Sequence, residues 1–161
     1  MNLAITGHRP QKLSIIGVEQ QVRTILKWAF ENIKPQWVIS GMALGVDQWA
    51  AEEALAMKIP VLAAIPCWEQ EHFWSAESKK KYHELCARVQ HREMVSAGAY
   101  HSGVMQERNR WMIDRANVVV AIFDGTDGGT CNAVKYAIET RKPIFRYDPV
   151  TYKSEWIGAP K

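Results

Sequence analysis

Short apolar runs alternate along the whole chain with longer stretches in which apolar residues recur at helical spacing. Leu3–Ile5, Trp37–Ile39, Val61–Ile65, Val118–Phe123 and Ile144–Arg146 read as strands, and the run at Val118 is apolar throughout, as a strand buried on both faces requires. Between them, Val18, Val22, Ile25, Leu26, Ala29, Phe30 and Ile33 follow i, i+4, i+7, i+8 spacing and predict an amphipathic helix. Further helices are expected over Val46–Met57, Ala76–Ala87, Gly103–Arg115 and Thr130–Glu139. Pro35, Pro60 and Pro143 each stand at or just before a strand start, where a proline ends the preceding helix. Repeated βα units of this kind imply an α/β fold, a single-domain open parallel sheet with helices on both faces. Residues 3–147 carry this pattern; a short strand is expected at Arg88–Glu93, a loop at Ser96–Gly103, and the tail at 148–161 receives no element.

Glycine adds the next layer. Of ten glycines, six (Gly7, Gly41, Gly45, Gly125, Gly128 and Gly129) fall just after three of the strands. The turns read Thr6-Gly7-His8-Arg9-Pro10, Ser40-Gly41-Met42-Ala43-Leu44-Gly45-Val46-Asp47 and Asp124-Gly125-Thr126-Asp127-Gly128-Gly129-Thr130. In an open α/β sheet the carboxyl ends of the strands are where ligands bind. A strand, a glycine turn and a helix start leave backbone N–H groups and a positive dipole end facing one space, which suits phosphate. Glycine also serves positive φ angles in turns, and each turn alone is explained that way as readily. Neither G-x-G-x-x-G nor G-x-x-x-x-G-K-[ST] occurs, so an ordinary dinucleotide fingerprint or P-loop is not supported.

Composition narrows the class without naming a ligand. The 161 residues fit one domain, 47% hydrophobic and 23% charged, with a formal net charge of +3. That charge is too small and too scattered to argue for nucleic acid. No apolar run reaches the ~18 residues of a membrane span, and Met1–Gly7 lacks the pattern of a signal peptide. Three cysteines without C-x-x-C spacing point to reduced thiols in a cytoplasmic protein. Five histidines show no metal-site pairing, so no metal and no required cofactor is expected.

Ser40–Asp47 resembles the S-G-x-A-x-G-x-D turn of the DprA/Smf branch of the SLOG superfamily, and Gly128-Gly129-Thr130 resembles the G-G-T element of its LOG branch of phosphoribohydrolases. The small bacterial and phage YpsA-like proteins are similar over nearly the whole chain. They show T-G-x-R-P, P-x-x-x-Q-x-x-x-W and R-N-x-x-M. Here these are Thr6–Pro10, Pro66 through Gln70 to Trp74, and Arg108-Asn109 with Met112, or equally Arg110 with the same methionine. The resemblance implies a Rossmann-like sheet binding a nucleotide or nucleotide derivative, and a homodimer paired through helices such as that of Trp49.

The candidate phosphate and ligand contacts are Gly7, His8, Arg9, Ser40, Gly41, Gly45, Asp47, Arg108, Asp124, Gly125, Gly128, Gly129 and Thr130. Arg108 borders the apolar stripe of its helix, a place suited to a two-pronged phosphate grip. Trp68 and Trp74, with Gln70, are candidate base contacts, through stacking and edge recognition. The chemistry stays open between a binding or sensing protein and an N-glycosidic nucleotide hydrolase. Against hydrolysis of the LOG type, Ala133 stands where that branch carries its glutamate, and alanine can neither hold developing charge nor accept a proton. Asp47, Asp124 and Glu107 are the carboxylates that could be relocated to that task. No residue is named as a catalyst. Single-stranded DNA binding, which the DprA likeness implies, is disfavoured by the modest charge.

Overall fold

The computed structural model describes residues 1–13 and 17–158. Its strands are β1 (Asn2–Gly7), β2 (Trp37–Ser40), β3 (Val61–Ile65), β4 (His91–Met94), β5 (Val118–Ile122), β6 (Ile144–Tyr147) and β7 (Ser154–Ile157). Its helices are α1 (Val18–Ile33), α2 (Val46–Ala56), α3 (Ala76–Arg88), α4 (Val104–Asp114) and α5 (Gly129–Glu139). The strands form one sheet in the order β4-β3-β2-β1-β5-β6-β7. Six run parallel, and the all-apolar β5 is buried along its whole length beside β1, with Leu3 opposite Val118 and Gly7 opposite Ile122.

Alternate residues of β1, β2, β3, β5 and β6 feed two cores. Leu3, Ile5, Val38, Val61, Val118, Val120 and Phe145 point to the side covered by α1, α2 and α3. Ala4, Ile39, Ala64, Val119, Ala121 and Ile144 point to the side covered by α4 and α5. The helical stripe read from Val18, Val22, Leu26, Ala29 and Phe30 is the buried face of α1. Helices lie on both faces, as the βα repetition requires. The chain moves from β1 out to β4 with its helices on one face, then crosses to β5 with α4 and α5 on the other.

Two expectations change. The sheet is not wholly parallel: β7 returns antiparallel on β6, with Phe145 opposite Trp156. A turn at Asp148 reverses the chain, its carboxylate accepting from the Val150 and Thr151 amides at 2.8 and 3.2 Å. The tail, expected to hold no element, thus carries a strand at Ser154–Ile157, while residues 159–161 lie outside the described residues. Second, α3 continues to Arg88, so the short edge strand begins later than expected, at His91. Seven of the eleven residues of α2 are buried within this one chain. The small residues Ala50, Ala51 and Ala54 let it sit closely against the sheet and its neighbours α1 and α3.

Candidate functional site

Beyond β1 the chain turns to the face of α1, and beyond β5 to the face of α5, so a crevice opens between their carboxyl ends. The His8 amide still donates to the Ile122 carbonyl at 3.3 Å, which keeps the two ends together. A cavity of about 300 Å³ occupies the crevice, and its wall includes Gly7, His8, Arg9, Asp47, Arg108, Gly128, Gly129 and Thr130. Eight of the thirteen candidate contacts thus meet in one place. Ser40, Gly41, Gly45, Asp124 and Gly125 are not on that wall.

The glycines divide by physical role. A side chain at Gly7 would strike Val46 of α2, and one at Gly41 would strike the Arg108 guanidinium; these two glycines permit close packing. Gly45, Gly125 and Gly128 hold φ of 91, 91 and 142°, which other residues rarely adopt. Gly129 has neither constraint: its φ is ordinary, and a methyl group built there meets nothing within 4 Å. Its bareness leaves open space over the cavity. Met42, at φ 60° and fully buried, shows that the loop from Gly41 to Gly45 is folded into the protein. Ser40 holds that loop, donating its hydroxyl to the Asp47 carbonyl at 2.7 Å and accepting from the Met42 amide at 3.2 Å. The loop from Gly41 to Gly45 is therefore not the open phosphate cradle expected of it, and only Ala43 and Asp47 of this turn reach the cavity.

Two helices start near the crevice, and they differ. The first turn of α2 carries its own anion, Asp47. The first turn of α5 contains no acidic residue and no side-chain cap, so its N–H groups have no intrahelical partner. Thr130, buried with its hydroxyl unpartnered among the described residues, lines the cavity in that turn. Lys12 completes this corner, donating to the Thr126 hydroxyl at 3.1 Å and the Asp127 carbonyl at 2.7 Å. Amides, a dipole end and an ammonium thus converge where an oxyanion fits.

Arg108 is 4% exposed. Its Nη1 donates to the Gly41 carbonyl and, at 3.4 Å, to that of Ala64, while Nε donates to Asn109 at 2.8 Å. Among the described residues Nη2 meets only the Met105 sulfur, at 3.7 Å, so one prong is left where two were expected. Among the described residues the Asp47 carboxylate has one weak partner, the Ala43 amide at 3.4 Å. Burial pushes its carboxyl up in pKa, against the pull of Arg108, the Ala43 amide and Arg9.

His8, on the wall, pairs with Asp124, its Nε2 lying 2.7 Å from Oδ1. Burial lowers the imidazole pKa although Asp124 opposes it, so the ring is neutral near neutral pH. The Asp124 amide is directed at the same Nε2, at 3.1 Å, so backbone and side chain of Asp124 both meet that nitrogen. Asp124 is held down to about 2: partial burial works against this, and hydrogen bonds from the Thr126 hydroxyl and amide, together with His8, outweigh it. The role of Asp124 here is to fix the β5–α5 turn.

A second cavity, about 550 Å³, adjoins the first and shares Arg9, Gln11 and Met105 with it. Trp68, Phe73, Trp74 and Tyr100 form its walls, with Phe73 96% exposed. The Trp68 amide donates to Gly98 at 2.8 Å and links the two loops that carry these rings. Trp74 stands edge-on to Tyr82 at 5.3 Å and belongs partly to the core. Gln70 does not present its amide as an edge-reader: Nε2 donates to the Gly41 carbonyl and the Tyr82 hydroxyl, and Oε1 is buried with no partner among the described residues.

Sequence reasoning passed over Lys12, Asn109, Tyr100 and Met105. Lys12 lay in the same turn as Arg9 and was findable as a second cation there; Asn109 was quoted in its motif without a role. Ala133 is buried in the α4–α5 core, so the place of the LOG glutamate is occupied by packing. Among the described residues no cluster of three or more potential metal ligands exists, and no helix is long and apolar enough to cross a membrane. Cys67, Cys86 and Cys131 are buried and unbridged.

A doubly wound sheet with a built polar cavity at its switch point defines a Rossmann-like α/β domain. The chain belongs to the YpsA family, described as the YspA SLOG family, whose model matches residues 3–152. A UPF0398 protein of Bacillus licheniformis is 29% identical over 89% of this chain and 88% of its own length. YpsA of Bacillus subtilis is 25% identical over 87% and 85%. Among solved structures, DNA processing protein A from Helicobacter pylori superposes with a TM-score of 0.67 at 24% identity, over 92% of this chain and 65% of that one. The molybdenum cofactor binding protein from Rippkaea orientalis gives 0.61 at 17%, over 91% and 75%. At these identities the two structures establish a shared fold.

Proposed function

We propose that this protein binds a nucleotide-derived small molecule at the switch point, its phosphate on the α5 N-terminus and its heterocycle among the aromatic side chains. The observation that carries this is the junction of the two cavities through Arg9, Gln11 and Met105. One cavity offers amides and cations, the other exposed rings, and a nucleotide has those two ends. Gly129 supports the reading, since neither packing nor φ accounts for a glycine there.

Calorimetric titration with AMP, ADP-ribose, NAD and cyclic AMP tests it. Saturable binding that weakens several-fold in Lys12→Ala is expected. Absence of binding to all four removes the proposal.

A second reading is N-glycosidic hydrolysis with Asp47 as the relocated carboxylate, favoured by its burial at the cavity wall beside Arg108. Release of free adenine from AMP, abolished in Asp47→Asn, would establish it. Single-stranded DNA, bound by the Helicobacter neighbour, is decided by a salt-dependent gel shift.

A further inference from the structure

Asp47 presents a buried carboxylate whose hydrogen-bonding capacity is largely unused. The side chain is 8% exposed, and an ionised carboxylate can accept about four hydrogen bonds. The protein supplies one, from the Ala43 amide at 3.4 Å. The other oxygen, Oδ1, has no partner among the described residues, and Asp47 stands on the wall of the inner cavity.

What would satisfy such an oxygen is a donor brought by the ligand. A cation fits poorly, because Arg9, Lys12 and Arg108 line the same cavity and would repel it. A neutral hydroxyl fits well. Asn109, also on the wall, uses its carbonyl oxygen to accept from Arg108 at 2.8 Å and so keeps its NH₂ group available as a donor. An acceptor-only group and a donor on one wall match two hydroxyls, one donating and one accepting. The inner cavity, at about 300 Å³, has the size of a small ligand pocket, and the heterocycle has the adjoining 550 Å³.

We infer that Asp47 recognises the sugar hydroxyls of the ligand, so that the site selects ribonucleotides over their deoxy forms. This rests on the nucleotide reading above and adds a specificity to it. Burial, which raises the pKa of Asp47, leaves the free carboxyl under-solvated, and a hydroxyl donor relieves that.

The test is calorimetric titration of AMP, 2′-deoxy-AMP and 3′-deoxy-AMP into the wild type, Asp47→Ala and Asp47→Asn. At least one deoxy analogue should bind about tenfold or more weakly than AMP to the wild type, the loss of a hydrogen bond to a charged acceptor. In Asp47→Ala, AMP should fall to the level of that analogue, which itself binds as it does to the wild type. Should Asp47→Ala fail to fold by circular dichroism, Asp47→Asn, which can still accept from Ala43, should narrow the gap several-fold. Equal binding of all three ligands to the wild type overturns the inference and leaves the nucleotide reading standing. A gap that persists without the Asp47 carboxylate overturns it as well. A deoxy-insensitive site that instead discriminates inosine monophosphate from AMP would assign Asp47 to the base and overturn the sugar assignment. Failure of AMP to bind removes the inference; the nucleotide reading itself falls only if ADP-ribose, NAD and cyclic AMP fail too.

Discussion

Nε2 of His8 lies 2.7 Å from Oδ1 of Asp124, which ties the turn after β1 to the turn after β5 at the rim where the crevice opens. Both members of the pair have pKa values depressed by folding. A group whose folded pKa is lowered binds its proton more readily when unfolded, so its contribution is present at high pH and lost as pH falls.

Stability should therefore decline in two stages on acidification: first below the ordinary histidine value of about 6.5 as His8 is forced to charge, then between about 4 and 2 as Asp124 protonates. Urea denaturation at a series of pH values measures this. His8→Asn should flatten the upper stage, and an unchanged profile in that variant would refute the assignment. Asp124→Ala should cost about 1–3 kcal/mol at pH 7, from the lost hydrogen bonds to a charged acceptor.

Glycines at two positions on the same cavity wall should respond in opposite ways to alanine. At Gly7 the new methyl group meets Val46 at the tightly packed start of α2, so Gly7→Ala should destabilise by about 1–3 kcal/mol or more. At Gly129 nothing stands in the way and φ is ordinary, so Gly129→Ala should leave stability equal or raised by up to about 1 kcal/mol. The added methyl group lies on the cavity, and AMP affinity should fall several-fold. Thermal melts and titrations of the two variants separate packing from function.

Arg108→Lys should act on the fold before it acts on any ligand. The guanidinium holds the carbonyls of Gly41 and Ala64 with one nitrogen and Asn109 with another, a planar arrangement an ammonium cannot reproduce. With groups left unpaired in a buried site, a loss of about 2–4 kcal/mol is expected in denaturant unfolding. A loss below ~0.5 kcal/mol would show that these hydrogen bonds contribute little.

The alternation of strands and helices, and with it helices on both faces of a mainly parallel sheet, was legible because strand and helix carry different periods, and β5 and α1 show theirs cleanly. The hairpin to β7 was not, since four residues alternate too briefly to distinguish a strand from a turn, and what reverses the chain is the carboxylate of Asp148. The crevice itself was legible from glycines after strands. Which of them face it was not, because Gly41 and Gly129 look alike in sequence, while Arg108 lies against one and open space against the other. The helix carrying Arg108 gave its border position but not its partners, which come from residues 67 and 44 positions away.

The two cavities predict that phosphate and heterocycle recognition can be uncoupled. Trp68 and Phe73 are 58 and 96% exposed, so Trp68→Ala and Phe73→Ala remove little packing and should change stability by no more than about 0.5 kcal/mol. Stacking of a base on an aromatic side chain contributes about 1–3 kcal/mol, so each variant should bind AMP at least about fivefold more weakly. Inorganic phosphate, which touches only the α5 corner, should bind both variants as it binds the wild type. Lys12→Ala should do the reverse in proportion, weakening phosphate and AMP alike and flattening their dependence on salt. If instead Phe73→Ala weakens phosphate as much as AMP, the rings act as a lid over one site and the division of labour between the cavities is wrong.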